Sequence, residues 1–517
     1  MTELAAERYG DCGVLVWLPD QPSVLTLFSA LAARPFDGQW DLVPADHTLL
    51  LRFADAPAAE SAITEVARRP VPTRPAAETS RLDVEVVYDG PDLADVAART
   101  GNSSDEVVAR HSGQDWIVAF TGFAPGFGYL VGEHGGLPVD RRSMPRTEVP
   151  AGSVALGGRY SAVYPRSSPG GWQLIGRSAA VLWDLQREVP ALLRPGMRVR
   201  FRPVDRLPPP TPPVASAPYR FGPSTGPGLR VDRPGALALV QDAGRTGLGS
   251  SGVPTSGAAD RAAFMAANAA VGNPAGAAVL ELVLGGTAVT AVGDQWVAVT
   301  GAATEVQIRP AVLPAESVPA GSAVLLRDGD QLRVGRVGRG LRSYLAVRGG
   351  LTCSPVLGSR STDRLSGIGP PVVERGVLLG VGALGRLTTA AEPGRESADR
   401  PGDDLGTLAV TAGPHLRQLP DDCLDELCAR TWQVSPATDR VGVRLVGSPL
   451  AGGGGALPSV PLVPGAVQLP PSGEPVVFLR DHPTTGGYPV VAVLTDRSVD
   501  AAAQLRPGQP VRFERTR

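Results

Sequence analysis

The 517-residue chain contains no lysine: every one of its 49 basic residues is arginine. Without lysine there is no Schiff-base amine, no residue to carry biotin and no ammonium for a Walker-type phosphate loop. Any phosphate the chain handles must meet arginine, backbone N–H groups or a partner chain. Cysteine is scarce as well. Cys12, Cys353, Cys423 and Cys428 are too scattered for a disulfide framework, and the step from 423 to 428 is not the Cys-x-x-Cys of a redox or zinc site. A net charge of −2 supplies no field for a polyanion, so nucleic acid is not an expected partner. No stretch approaches ~20 uninterrupted apolar residues, and the N-terminus lacks a basic-then-apolar leader, so the expectation is a soluble, cytoplasmic protein with no membrane partner. Neither a Gly-x-Ser-x-Gly elbow nor a His-Glu-x-x-His helix occurs, which disfavours an α/β-hydrolase or a zincin.

What is present is a phrase stated twice. The first copy runs Pro150-Ala-Gly152-Ser-Val, then Ser168-Pro-Gly170-Gly171-Trp172, and closes with Leu193-Arg-Pro-Gly196 and Phe201. The second runs Val463-Pro464-Gly465-Ala-Val, then Thr484-Thr485-Gly486-Gly487-Tyr488, and closes with Leu505-Arg-Pro-Gly508 and Phe513. Gly152 to Gly465 is an offset of 313, Gly171 to Gly487 is 316, and Gly196 to Gly508 is 312. Anchors at nearly one offset predict two copies of a β-rich module.

The length predicts three or four domains. Residues 1–80 read as a small α+β unit, with strands Val14–Trp17 and Thr48–Phe53 and helices Ser23–Ala33 and Ala58–Arg68. Residues 81–205 begin with strand Leu82–Tyr88 and two short helices, the second opened by the capping box Ser103-Ser-Asp-Glu106. Strand Trp116–Phe120 and closely spaced Gly/Pro turns then predict a barrel or sandwich. Residues 206–228 hold Pro208-Pro-Pro-Thr-Pro-Pro213, a semi-stiff linker that cannot join a sheet. Residues 229–395 read as a β-rich domain in which Val231–Gln241 forms one strand, Asp260–Val271 a helix and Val279–Leu284 a strand. A soft boundary falls near Ala390 to Asp404, and residues 404–517 form a last barrel with a mobile glycine loop at Gly452–Gly455. The fold class is mainly β with α+β elements.

These motifs support a family resemblance. Gly122-Phe-Ala-Pro-Gly-Phe-Gly-Tyr-Leu130, Pro145-Arg146, Pro150–Val154 and Ser168–Gly176 resemble the B subunit of bacterial 5-oxoprolinase, which is similar to a sporulation-kinase inhibitor and to the first of the allophanate-hydrolase-like subunits. Gln241–Arg245, Gly252–Asp260, Ala267-Asn268, Gly272-Asn-Pro274, Gly358-Ser-Arg-Ser-Thr362, Pro464–Gln468 and Asp481–Tyr488 resemble the C subunit of that enzyme, the inhibitor's antagonist and the second of the allophanate-hydrolase-like subunits. The chain thus resembles a fusion of B and C, related also to the C-terminal region of urea carboxylase and urea amidolyase. The resemblance implies tandem cyclophilin-like barrels and ATP-dependent opening of 5-oxoproline to glutamate with a separate partner, the A subunit of 5-oxoprolinase. ATP would be a substrate, accompanied by Mg2+, and no biotin would be covalently held. The pattern departs at Asp439-Arg440-Val441-Gly442, where Asn-Arg-Met-Gly is expected, and at Ser459-Val460, where Ser-Glu is expected.

A lactam is a poor electrophile, so phosphorylating its oxygen calls for anion donors, usually a divalent ion held by oxygen ligands, and an arginine opposite the developing charge. The candidates for the chemistry are Asp242, Arg245, Asp260, Glu281, Asp481, Thr484 and Thr485. Asp260 and Asn268 share a helix face at i and i+8, so Asp242, Arg245, Asp260, Asn268 and Glu281 are expected at one mouth, the alternative being an internal arginine–carboxylate lattice. Asp481, Thr484 and Thr485, beside two glycines, suit an anionic substrate or a metal-bridged phosphate. Candidates for holding substrate or ATP are His111 as an imidazolium at a helix end, Pro125, Gly126, Arg146, Gly170, Gly171, Arg360, Ser361, Thr362, Gln468, Gly486, Gly487 and Tyr488. For Gly126, Gly170 and Gly171 the alternative is a tight barrel turn, for Arg360–Thr362 a structural turn, and for His111 a surface or capping histidine. No metal ligand set is assigned. Two other functions stay open: binding of a sensor histidine kinase, which an inhibitor–antagonist fusion would self-cancel through high effective concentration, and urea or amide carboxylation with a separate biotin carrier. A homo-oligomer is compatible with the sequence.

Overall fold

Strand Thr48–Phe53 carries three consecutive leucines, Leu49, Leu50 and Leu51, and the computed structural model buries all of them completely. Side chains alternate along a strand, so this run requires cover on both faces. Leu49 and Leu51 join Val14, Val16, Leu27 and Leu31 beneath helices Gln21–Ala33 and Ala56–Arg68. Leu50, with Leu15 and Val43, faces the other way and packs on Val460, Val463, Ala466 and Val493 near the C-terminus. The four strands pair antiparallel in the order Ala5–Arg8, Gly13–Trp17, Thr48–Phe53, Gln39–Pro44. The structure describes residues 4–68, 80–209, 221, 226–310, 314–383, 406–451 and 457–516. The proline run beyond residue 209, the boundary near Ala390 to Asp404 and the glycine run Gly452–Gly455 lie outside the described residues.

The repeated phrase corresponds to a repeated barrel. In the first copy the paired strands run Gln173–Arg177, Ser153–Gly157, Tyr160–Val163, Gly128–Gly132, Asp115–Thr121, Arg198–Pro203 and Arg81–Val86, and a bridge between Val87 and Arg177 joins the ends. In the second they run Val490–Leu494, Ala466–Gln468, Val476–Phe478, Gly442–Val446, Trp432–Val434, Pro510–Arg515 and Gly406–Ala412, closed into a barrel. The order is the same around both. In each, the last strand of the module pairs parallel with the first. Each copy has a tryptophan at the base whose indole donates to a helix-end carbonyl: Trp116 to His111 O at 2.8 Å, Trp432 to Leu427 O at 3.1 Å. Gly152 and Gly465 occupy equivalent turns at φ +79° and +88°, a backbone region costly for any residue with a Cβ. Helices Leu93–Thr100 and Ser104–Ser112 precede strand Asp115–Thr121, and the capping box at Ser103 and Glu106 is made in both directions.

Between the barrels, residues 226–383 form two packed sheets, one of seven strands and one of five, around Leu229, Val240, Leu280, Val289, Leu332 and Leu345. The single strand expected over Val231–Gln241 is two. Gly228–Arg233 belongs to the larger sheet and Leu237–Gln241 to the smaller. Pro234 lacks a ladder donor, and the chain changes sheets there. Helix Arg261–Ala270 lies on the smaller sheet, with Phe264 and Ala267 against Tyr344, Ala298 and Ala346. Among the described residues no helix is long and apolar enough to cross a membrane.

Candidate functional site

The two halves meet along a seam built from loops. Thr121 Oγ1 donates to Ser250 O at 2.6 Å and Gly126 N to Ser251 O at 3.1 Å, so the glycine-rich loop of the first half docks on the second. A Cβ on Gly122 would stand 1.9 Å from Thr485 Oγ1; only glycine lets these loops close. Arg166, from the loop before strand Ser168–Gly170, donates through Nη2 to Leu365 O across the seam.

Beneath the seam lies a fully buried ion lattice. Arg440 clasps Asp481 with Nε and Nη2, both at 3.0 Å, and reaches Glu281 Oε1 with Nη1 at 2.5 Å. Glu281 Oε2 also accepts from Ala259 N at 2.9 Å and Tyr344 Oη at 3.0 Å, and Asp481 Oδ1 accepts from Ser256 Oγ at 2.7 Å. Burial works against the guanidinium charge, but Asp481 and Glu281 outweigh it and hold the Arg440 pKa above its ordinary value. For Glu281 this is the lattice alternative rather than an open mouth, and Asp481, expected at an anionic substrate, is part of the same lattice.

The other residues expected at one mouth separate. Both oxygens of Asp242 are filled by Gly244 N at 2.8 Å, Ser359 Oγ at 2.6 Å, Ser361 Oγ and Arg360 N at 2.6 Å. Arg360, Ser361 and Thr362 therefore form a structural turn; Thr362 Oγ1 donates to Pro370 O at 2.9 Å and Arg360 Nε to Cys353 O at 2.8 Å. Asp260 caps its helix through Ala263 N and accepts from Gln504 Nε2 at 2.7 Å. Asn268 ties the helix to Ala277 O at 2.9 Å and to Asn273. His111 is a correction of another kind. It is wholly buried between Tyr88 Oη at 2.7 Å and Ser161 Oγ at 2.8 Å, stacked on Phe201, and burial pulls its pKa down to about 3. It is a neutral core histidine with no route to phosphate.

In the first half, Arg146 pairs with Asp92 at 2.7 Å, beside Arg142 at 3.0 Å. Gly170 is opposite Arg146 in a two-stranded ribbon, where a Cβ would meet Tyr164 Oη at 2.4 Å, and Gly171 O accepts from Arg142 N. The second half repeats the ribbon, with Gly486 opposite Val460 and Gly487 O accepting from Leu457 N. Gln468 Nε2 donates to Tyr488 O at 3.0 Å, and the Tyr488 ring is partly exposed. Pro125 has no N–H to offer and that of Gly126 is spent on Ser251. The positions where the resemblance breaks, Val441 and Val460, both contribute to the apolar cluster under the N-terminal sheet.

Several buried polar atoms at the seam have no hydrogen-bond partner: Arg166 Nε, Arg245 Nη1, Asp363 Oδ2, His482 Nε2, Thr484 Oγ1 and Thr485 Oγ1. Leaving such groups unsatisfied costs about 1–3 kcal/mol each, a cost that ordered water or a bound ligand would offset. Arg245 is held by Val356 O at 3.2 Å and by Ser361 O, and burial lowers its pKa. Burial and then the nearby Asp481 push the Asp363 carboxyl up to about 6, with Arg245 opposing, and Arg166 also feels its charge. Burial depresses His482 to about 4, leaving a neutral imidazole whose Nδ1 faces Pro483 O at 2.8 Å. Arg166, Asp363, Arg440 and Ser256 are not among the sequence candidates, although Arg440 and Ser256 lie within the quoted Asp439–Gly442 and Gly252–Asp260 segments. Asp363 follows directly on the quoted Gly358–Thr362 motif; nothing in its neighbourhood set Arg166 apart from the other arginines.

Comparison with known proteins fits this two-part layout. Residues 251–515 match the carboxyltransferase domain, subdomain A and B, and residues 4–193 match the carboxyltransferase domain, subdomain C and D. The C subunit of 5-oxoprolinase from Escherichia coli (strain K12) is 36% identical over 289 residues, covering 55% of this chain and 90% of that protein. The B subunit of 5-oxoprolinase from Bacillus subtilis (strain 168) is 35% identical over 218 residues, covering 38% of this chain and 90% of that protein. The crystal structure of TTHA0988 superposes with a TM-score of 0.85 at 34% identity, covering 97% of this chain and 99% of the other. With both halves matched and their order preserved, the chain belongs to the carboxyltransferase-domain family, and within it joins in one polypeptide what the B and C subunits of 5-oxoprolinase carry separately.

Proposed function

We propose that the chain serves as the fused B and C subunits of an ATP-dependent 5-oxoprolinase, opening 5-oxo-L-proline to L-glutamate together with a separate A subunit. The relatives of each half carry the names of 5-oxoprolinase subunits, and the observation that carries the reading is the seam of partnerless polar atoms supplied by both halves. Transfer of the γ-phosphoryl group of ATP to the lactam oxygen releases ADP and makes the ring carbon open to water. The ring C–N bond then breaks, and hydrolysis frees phosphate and glutamate. Arg245, with Nη1 unspent, suits the developing oxyanion. The Thr484 and Thr485 hydroxyls and neutral His482 suit the ring amide or the substrate carboxylate. Asp363, near pKa 6, suits a proton acceptor for water.

Among the described residues no three His, Cys, Asp or Glu side chains group as a metal site. Magnesium needs only one or two protein carboxylates when it arrives with nucleotide phosphates. Asp363, with Oδ2 free, would fit that part in place of accepting a proton from water, and the ion would there neutralise phosphate charge.

The experiment is 5-oxoproline-dependent phosphate release by the fusion with its cognate A subunit. Release that requires fusion, partner and 5-oxoproline together supports the reading; none at saturating substrate ends it. A second reading, carboxyl transfer to an amide, is favoured by the carboxyltransferase-domain match. A chain without lysine would then need a separate biotin carrier, and co-purification of a biotinylated protein is its test.

A further inference from the structure

A cavity of about 220 Å³ opens where the N-terminal sheet meets the second half, and Arg52, Arg261 and Arg480 all line it. Arg480 directly precedes Asp481, yet the two diverge: Asp481 enters the lattice with Arg440, whereas Arg480 turns to this cavity. Arg480 is 2% exposed, its Nε has no partner, and its Nη2 makes only a long contact of 3.4 Å to Asp500. The Arg261 guanidinium has no carboxylate within ion-pair distance among the described residues. Arg52 donates through Nη1 to Thr255 Oγ1 at 3.0 Å and lies 4.2 Å over the Trp40 ring.

Burial and mutual repulsion weigh on these charges. Arg480 first, then burial and Arg52, bring the Arg261 pKa down to about 9. Burial, with Arg480 adding to it against Asp41, brings Arg52 to about 10. The acids nearby keep their charge: Asp500 pairs with Arg480 and opposes the repulsion at Arg261, and Asp41 and Asp496 do the same at Arg52. Asp11 and Asp496 stand in the cavity wall. Asp500 accepts from Arg261 N and Ala262 N, Asp41 from Leu42 N and Gly249 N, and Asp11 from Asp496 N. Asp496 alone offsets both Arg52 and Arg261 from the cavity wall. The N–H groups that open the Arg261 helix are taken by Asp500 and Asp260, so the arginines themselves are the anion donors.

We propose that this pocket, whose lining includes none of the partnerless atoms of the seam, is a binding site for a small oxyanion: a phosphate or a carboxylate metabolite. The guanidinium fork matches both groups with paired hydrogen bonds. The volume falls below the ~300–1,000 Å³ of ordinary ligand pockets, which rules out a whole nucleotide. Tyr9, Trp40 and Leu494 add an apolar wall that suits a short carbon chain.

Cys12 lines the same cavity and is partly exposed, so it reports occupancy without reference to activity. The test is the rate of Cys12 alkylation, read by peptide mass mapping, in rising inorganic phosphate or in glutamate against chloride at equal ionic strength. Cys353 and Cys428 serve as internal controls. Saturable slowing of Cys12 by about fivefold or more below about 10 mM anion is expected, and its loss in Arg261→Gln. Slowing by phosphate alone assigns a phosphate ligand, and slowing by glutamate alone a carboxylate. If Arg261→Gln fails to fold, Arg52→Gln is read in its place. Equal rates in both anions and chloride, parallel slowing of all three cysteines, or protection that survives either variant would overturn the proposal.

Discussion

Arg440 is where one residue carries the most. It neutralises two buried carboxylates from different strands and loops, Glu281 and Asp481, each 0% exposed. Removing a partner from a buried pair leaves an uncompensated charge, so Arg440→Met should cost about 3–5 kcal/mol in urea unfolding. Neutralising both acids in the same chain, Glu281→Gln with Asp481→Asn, should recover most of that loss. No recovery would mean the arginine acts through packing. Asp363 gives a pH signature with a definite sign. Its folded pKa of about 6 lies above the ~3.9 of a free aspartate, so the folded state binds more protons between these values. The stability it adds is complete below about 4 and is lost as pH rises through about 6. The buried histidines act oppositely: His111, near 3, and His415 and His482, near 4, add stability above ~6.5 that is lost as pH falls toward those values. Thermal melts from pH 4 to 7 should therefore rise more steeply with pH in Asp363→Asn than in the parent chain. An unchanged slope would place the carboxyl's pKa near its ordinary value.

The two modules use one device at equivalent places, the tryptophan indole that satisfies a helix-end carbonyl. Trp116→Phe and Trp432→Phe should each leave that carbonyl unpaired and cost about 1–3 kcal/mol. Closely similar losses by chemical denaturation would support equivalence of the modules; a loss in one alone would contradict it. The repeat was legible because glycine anchors such as Gly152 and Gly465 are required by turn geometry, which leaves a mark in sequence. Strand Thr48–Phe53 was legible from its apolar run. The break at Pro234 was less so, since the flanking residues remain apolar where they pass between packed sheets. The site was harder still. Asp481, Thr484 and Thr485 stood out beside Gly486 and Gly487, but Glu281 gave no sign that Arg440, 159 residues away, was its partner. His111 at a helix end read as charged because sequence does not report that Tyr88, Ser161 and Phe201 close over it.

At the scale of the whole molecule, the first half is bound to the second by an apolar surface as well as by loops. Leu15, Val43 and Leu50 on one side meet Val460, Val463 and Val493 on the other. A tether between such surfaces chiefly raises effective concentration. Cleavage at a protease site inserted among residues 210–220 should leave the halves co-eluting in size-exclusion chromatography. Separation of the halves would show that the tether, and not the surface, holds them. The central claim is that one site draws on both halves, with Arg166 from the first and Arg245 from the second. The most direct measurement is 5-oxoproline-dependent phosphate release, in the presence of the A subunit, by Arg166→Gln and Arg245→Gln chains confirmed to be folded. The account predicts losses in both, on the order of 10²-fold for Arg245→Gln; full activity in either variant would contradict a shared site.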